Sequence, residues 1–315
     1  MVAKIFIDGE AGTTGLGIRE RLLALPQIAR VAIPPAHRKD AAARRDAMAQ
    51  ADLVVLCLPD AAAREAVALA ETLGDAAPKI LDASTAHRVA RGWAYGFAEL
   101  APGQPDRIAA ARRVANPGCY ATGAIALLRP LVDAGLLPPD HPVSITAVSG
   151  YSGGGRAMIE AHERTGGPAF ELYGLALTHK HLPEIQACSR RARPPIFVPA
   201  VGHFRQGMLV SVPLHLDTLP ARPRAADIHA ALAAHYAGAG QVRVLPAAPE
   251  GRLDAEALND TDLMELRVHA RDEAAQAVLV ARLDNLGKGA AGAAVQNIRL
   301  MLGLAAPAER EPAHA

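Results

Sequence analysis

The stretch Lys4-Ile5-Phe6-Ile7-Asp8-Gly9-Glu10-Ala11-Gly12-Thr13-Thr14-Gly15-Leu16-Gly17 decides the fold. A short apolar run of strand character ends in a glycine-rich corner and passes at once into a helix-like segment, from about Gly15 to Leu25. Gly9, Gly12 and Gly15 stand in G-x-x-G-x-x-G spacing. Residues without a Cβ let the backbone turn tightly and bring N–H donors close to a diphosphate at the positive end of a helix. Glycines also occur in purely structural turns, but here they follow an N-terminal strand and open an apolar helix. That context predicts a dinucleotide-binding βαβ unit in which Gly9, Gly12, Thr13, Thr14 and Gly15 contact the cofactor.

Further along, short apolar runs alternate with helix-like segments. Val31 to Ile33, Leu53 to Leu58 and Lys79 to Leu81 read as strands, and Ala61 to Leu73 as a helix. This order predicts a parallel, doubly wound sheet of Rossmann type. After about Pro142 longer strand-like runs take over: Val143 to Val148, Ile196 to Val201, Met208 to Leu216, Met264 to His269 and Ala277 to Leu283. They predict a second, α+β domain with a mixed, largely antiparallel sheet. A helix from Ala225 to Tyr236 interrupts it, a glycine-alanine-rich helix from about Gly289 to Leu302 closes the chain, and the tail from Ala305 reads as frayed. The expected plan is an α/β protein with a nucleotide domain over 1–117 and a catalytic and dimerisation domain over 118–285. The closing segment 286–315 returns to the first domain, and the active cleft is expected between the two.

Composition narrows the partners. The chain has 315 residues, 50% of them hydrophobic and 21% charged, with 33 Lys and Arg against 32 Asp and Glu for a net charge of +1. Such balance gives no reason to expect nucleic acid or an anionic membrane, so a small-molecule substrate is predicted. No apolar stretch approaches the roughly 18 residues that span a bilayer, and the N-terminus lacks a signal-peptide pattern, which predicts a cytoplasmic protein. Three cysteines at wide spacings fit neither a disulfide framework nor a C-x-x-C metal site, and no metal is expected.

Where an NAD site usually carries an acid near the end of the second strand, this chain reads Ile33-Pro34-Pro35-Ala36-His37-Arg38-Lys39. A solvated basic loop would carry the same residues. A 2′-phosphate would be welcomed by Arg38 and Lys39, so NADP is expected as cofactor.

Of the thiols, Cys57 lies in a buried-strand pattern and Cys188 among helix-like residues, and both read as packing. Cys119, in Asn116-Pro117-Gly118-Cys119-Tyr120, is placed at or near the start of a helix. A helix N-terminus lowers a thiol's pKa and can stabilise an oxyanion on a carbonyl under attack. Cys119 is therefore the candidate nucleophile. A base is sought in Thr178-His179-Lys180-His181-Leu182-Pro183-Glu184, where an extended backbone would turn His179 and His181 to one side. His203 is a weaker competitor. Two further clusters, Ser149 to Arg156 and Asp284 to Gly292, are glycine-rich and suited to line a cleft, and Asn285 offers donor and acceptor to a carboxamide.

With these residues together, the chain resembles the N-acetyl-γ-glutamyl-phosphate reductases, in their shorter form. The resemblance runs over nearly the whole chain, through GEAGTTGLGIRERL, KDAAAR, LCLPDAAAREAV, LDASTAHRV, NPGCYATGA, SGYSGGGR, HKHLPEIQ, FRQGMLVSVPLHL and DNLGKGAAGAAVQN. It implies the two-domain fold shared with aspartate-semialdehyde dehydrogenase, NADPH as reductant, a cysteine thioester on Cys119 and a place in arginine biosynthesis. It implies a histidine beside the thiol, His179 in preference to His181. Arg88, Asn116 and Glu184 are implied on the substrate, and Ser84, Ser152, Gly153, Gly154 and Asn285 on the cofactor. Self-association as a homodimer or homotetramer follows from the same analogy. The nearest alternative is a reductase of aspartate-semialdehyde dehydrogenase type acting on another acyl phosphate.

Overall fold

The computed structural model describes residues 2–305, so most of the tail expected to fray lies outside the described residues. The chain divides into two compact units. One comprises residues 2–98, 102–117 and 290–305, the other 99–101 and 118–289.

The first unit is built from β1 (Ala3–Asp8), α1 (Thr13–Leu23), β2 (Ile28–Val31), α2 (Ala41–Ala49), β3 (Leu53–Leu56), α3 (Asp60–Glu71), β4 (Lys79–Asp82), β5 (Ala94–Tyr95), α4 (Gln104–Ala110) and β6 (Arg113–Ala115). Its six strands are all parallel in the order β2-β1-β3-β4-β6-β5. Leu53, Val54, Val55 and Leu56 are all buried, as expected of a strand covered on both faces. One face packs Ile5, Ile7, Val55 and Leu81 against Ile18 and Leu22 of α1 and Ile298. The other packs Phe6, Val54, Leu56 and Ile80 against Met48 of α2 and Ala63, Ala66 and Ala70 of α3.

Several boundaries differ from the sequence reading, most notably at the second strand and the first helix. The second strand is Ile28–Val31, paired from Ala3↔Ile28 to Phe6↔Val31, and not Val31 to Ile33. Pro34 and Pro35 have no N–H for a ladder, and the chain enters a 3-10 turn there. The first helix starts two residues earlier than expected, with Gly12 as its N-cap.

The second unit holds α5 (Cys119–Asp133), β7 (Ser144–Gly150), α6 (Arg156–Thr165), β8 (Phe170–Leu172), α7 (Leu182–Cys188), β9 (Ile196–Gly202), β10 (Met208–His215), α8 (Ala225–His235), β11 (Val242–Leu245), β12 (Met264–Arg271) and β13 (Gln276–Leu283). The strands form one sheet in the order β11-β12-β13-β10-β7-β9-β8. Four of its pairings are antiparallel, while β11/β12 and β7/β9 are parallel. This is the mixed, largely antiparallel sheet that the long strand runs predicted. Strand β10 alternates buried and less buried residues from Met208 onward, a period of two that turns Val210 and Val212 toward the core. Against that face lies α5, whose residues from Tyr120 to Leu131 are all buried. Gly123 makes the close approach possible, since a Cβ there would lie 2.8 Å from Val210. The closing helix α9 (Gly292–Leu302) is preceded by a π-helical turn, Gly287–Ala291, where the sequence suggested uninterrupted helix. Among the described residues no helix is long and apolar enough to cross a membrane.

Candidate active site

In the first unit the candidate cofactor residues follow the carboxyl ends of β1, β2 and β4. Gly9 has φ +87°, and a Cβ on it would sit 2.2 Å from the Cys57 carbonyl oxygen. The Gly12 N–H donates to the Gly9 carbonyl at 3.1 Å, closing the corner, and a Cβ on Gly15 would meet that carbonyl at 2.8 Å. Thr13, Thr14 and Gly15 form the first turn of α1, whose N–H groups have no acceptor within the helix. No acid stands in that turn, so its positive end is left for an anion. Beneath it, Asp8 is buried and receives Arg44 Nε at 3.0 Å and Nη2 at 2.6 Å. Burial raises the Asp8 carboxyl above its ordinary value, and the Arg44 guanidinium opposes that rise. Arg38 and Lys39 are exposed at the turn between β2 and α2.

Asp82, fully buried at the end of β4, organises the next loop. Its carboxylate accepts from the Ser84 N–H at 2.9 Å and from the Ser84 hydroxyl at 2.7 Å, and lies 2.6 Å from His87 Nδ1. The His87 ring stacks on Trp93 with centroids 4.2 Å apart. Ser84, expected on the cofactor, thus spends its hydroxyl proton on Asp82. Arg88 donates Nε to the Asn116 carbonyl at 3.0 Å. Asn116, expected on the substrate, has both ends of its amide engaged: Nδ2 donates to the Ala290 carbonyl at 3.1 Å and Oδ1 accepts from Asn297 at 3.0 Å.

In the second unit Cys119 is the first residue of α5, with Gly118 as N-cap. The Gly118 N–H donates to Glu184 Oε2 at 3.2 Å, so this 1% exposed carboxylate, from the first turn of α7, grips the backbone just before the thiol. Tyr120 anchors the helix start by donating its hydroxyl to the Ala200 carbonyl at 2.8 Å. Around its ring stand His179 at 5.9 Å, His181 at 6.0 Å and Phe197 at 5.4 Å, centroid to centroid.

The two imidazoles lie 4.7 Å apart at 81°, brought together by a turn and not by the extended backbone the sequence reading assumed. His181 has α-helical dihedrals (φ −85°, ψ −12°), and the Leu182 N–H bonds back to the His179 carbonyl at 3.0 Å. Pro183 at the second helical position favours the start of α7 here, which draws the segment into a turn. The His181 N–H donates to His179 Nδ1 at 3.1 Å, so a neutral His179 carries its proton on Nε2, which faces the Tyr173 hydroxyl at 3.5 Å. Burial pushes the Tyr173 hydroxyl up to about 12, with the nearby Cys119 adding to the rise, and raises Tyr120 as well. Both phenols therefore remain protonated at neutral pH. His203 belongs elsewhere, its Nδ1 3.1 Å from Nδ1 of His162. Burial also pushes the Cys57 and Cys188 thiols up to about 12, which leaves them protonated at neutral pH.

Ser152 and Asn285 touch, Asn285 Nδ2 donating to Ser152 Oγ at 2.9 Å while its Oδ1 accepts from the Gly207 N–H at 2.8 Å. Gly153 and Gly154 complete the same 3-10 turn, Tyr151–Gly154. Sequence reasoning missed Tyr120 and Tyr173. Tyr120 adjoins the thiol and could have been found from that adjacency; Tyr173 follows a three-residue strand, and only the β8/β9 pairing brings it in.

The semialdehyde dehydrogenase, dimerisation domain family matches residues 119–285. An N-acetyl-gamma-glutamyl-phosphate reductase of Brucella ovis is 55% identical over 311 residues, covering 96% of this chain and 100% of the relative. One of Chelativorans sp. is 54% identical over 311 residues, covering 96% and 99%. Among solved structures, aspartate semialdehyde dehydrogenase II of Vibrio cholerae, complexed with ASA, superposes with a TM-score of 0.71 at 17% identity, covering 96% of this chain and 99% of that one. Aspartate semialdehyde dehydrogenase of Candida albicans with NADP gives 0.64 at 14% identity, covering 96% and 99%. On its fold, and on identity sustained along nearly its whole length, the chain belongs to the N-acetyl-gamma-glutamyl-phosphate reductase family of oxidoreductases.

Proposed function

We propose that this protein reduces N-acetyl-γ-glutamyl phosphate to N-acetylglutamate 5-semialdehyde and phosphate, through a thioester on Cys119, as a cytoplasmic step of arginine biosynthesis. The observation that carries this reading is Cys119 as the opening residue of a buried helix, followed by Tyr120, around whose ring His179 and His181 stand.

The residues of the first unit fit a dinucleotide. The corner has no room for a side chain at Gly9 or Gly15, and an α1 first turn without acid suits a diphosphate. In this reading Thr13 and Thr14 offer backbone N–H groups to that diphosphate, and Arg38 and Lys39 take the 2′-phosphate of NADP. Ser84 braces its loop through Asp82, and Ser152 to Gly154 with Asn285 border the nicotinamide. NADPH, when bound, supplies the hydride that reduces the thioester to the aldehyde.

The protein's own part begins with the thiol. One imidazole of the His179/His181 pair accepts the Cys119 proton. The thiolate attacks the acyl carbon, the oxyanion is met by N–H groups at the start of α5, and the C–O bond to phosphate breaks as phosphate leaves. Reduction regenerates the thiolate. Arg88 binds the phosphate, its fork suited to paired oxygens. Asn116 and Glu184 shape the substrate side through the backbone they hold, Glu184 by fixing Gly118 at 3.2 Å. Self-association through the second unit, as a homodimer or homotetramer, is part of the same reading.

Purified protein run in reverse with NADP⁺ and phosphate tests the substrate. N-acetylglutamate 5-semialdehyde is expected to exceed aspartate semialdehyde by about 10²-fold or more in kcat/KM. Equal or reversed preference would displace this reading. The cofactor assignment has its own check: Arg38→Ala with Lys39→Ala is expected to weaken NADPH by roughly tenfold or more in Kd, since removing a charge-assisted hydrogen bond costs ~1.5 kcal/mol or more. NADH binding should barely change, and equal weakening for both nucleotides would mean that these side chains do not read the 2′-phosphate.

A further inference from the structure

Between β13 and α9 the chain makes the π-helical turn Gly287–Ala291, and the turn is pinned before it reaches the thiol. The buried Asp284 carboxylate accepts from the Leu286 N–H at 2.8 Å, from Gln206 Nε2 at 2.6 Å and from the Asp260 N–H at 2.9 Å. The Asp284 carbonyl accepts from the Gly289 N–H at 2.9 Å. Lys288 is 1% exposed, and its ammonium lies 2.8 Å from each Glu99 oxygen and 3.0 Å from Gln241 Oε1. Gly289 then comes against the nucleophile: a Cβ built there would lie 2.9 Å from Cys119 Cβ, 3.4 Å from Cys119 Cα and 3.1 Å from the Asp284 carbonyl. Two of these three atoms are backbone, and the third is bonded directly to it, so none can swing aside.

A buried lysine–glutamate pair is an inefficient way to gain stability, because desolvation of both ions offsets most of their attraction. It is an effective way to hold one register of a strained turn. π-Helical turns are rare, and the alternative α-helical winding of 287–291 would carry Gly289 away from its present seat. We propose that Gly289, held in place by the Lys288–Glu99 pair, is a positioning residue for Cys119, setting where the sulfur stands relative to the start of α5. The inference rests on the reading of Cys119 as nucleophile.

The test compares wild type, Cys119→Ser, Gly289→Ala, and the charge-free double variant Lys288→Met with Glu99→Leu. Each is assayed for kcat and KM, for NADPH affinity, and for the pH dependence of iodoacetamide alkylation at Cys119 read by peptide mass spectrometry. Gly289→Ala is expected to lose about 10²-fold in kcat, the cost of displacing a reacting atom by about an ångström, with KM and NADPH affinity within about threefold. Its alkylation profile should be displaced by ~0.5 pH or more, since a thiol's acidity follows its place at the helix terminus. The double variant, which removes both ions together so that neither charge is left buried alone, should show the same pattern to a smaller degree. Wild-type kcat and alkylation profile in Gly289→Ala would overturn the inference; if that variant does not fold, the same outcome in the double variant would do so. Full turnover in Cys119→Ser would instead remove the reading beneath it, so the two failures are separable.

Discussion

Cys119→Ser is expected to lower kcat by about 10⁴-fold or more, while NADPH affinity and the thermal midpoint stay at wild-type values. A serine hydroxyl is far less acidic than a thiol, so an imidazole that suffices for Cys119 leaves it protonated, and an ester accepts hydride less readily than a thioester. The substitution removes little packing, because the residue is only partly buried and oxygen replaces sulfur without branching. The loss should therefore fall on chemistry alone. Rapid-quench mass spectrometry of the wild-type enzyme with acyl phosphate and no reductant should show the acyl group on the peptide carrying Cys119. A serine variant with turnover near wild type, or wild-type enzyme that never carries the adduct, would end the covalent reading.

Gly9→Ala is expected to destabilise the protein by roughly 3 kcal/mol or more and to abolish measurable NADPH binding. Two effects add. The backbone at φ +87° is one that residues with a side chain rarely adopt, and the new methyl would stand 2.2 Å from the Cys57 carbonyl oxygen. Either the end of β3 or the corner itself has to move, and the corner carries the N–H groups proposed to hold the dinucleotide. Gly74→Ala separates the effects, because Gly74 also has positive φ (+57°) but nothing lies within 4 Å of its Cβ position. That control should cost only about 1–2 kcal/mol, measured by thermal or denaturant unfolding. If the two variants lost equal stability, the close approach at Gly9 would not be tight in solution.

Much of the architecture was legible because it depends on local pattern. The run from Lys4 to Gly17 announces strand, tight turn and helix through residue types alone, and Leu53 to Leu58 reads as a buried strand because its residues are apolar, the ladder itself ending at Leu56. Boundaries failed where pairing overrides pattern. Val31 to Ile33 is apolar enough for a strand, yet the ladder with β1 stops at Val31 because prolines follow. The histidine pair failed differently. Spacing of two suggested an extended segment, but the start of α7 draws His179 and His181 into a turn, and the rings meet through its closure.

The sequence by itself determined what is carried by neighbours along the chain: the glycine corner, the alternation that makes a parallel sheet, and a cysteine following Pro117-Gly118 at the start of a helix. Only the tertiary structure decided what is carried by residues far apart in number. Glu184 reaches Gly118 across 66 positions, Asn285 reaches Ser152 across 133, and Lys288 reaches Glu99 across 189. The physical reason is that backbone conformation follows from local sterics and propensity, whereas a buried charge or amide finds its partner only after the sheets have packed and water has been excluded.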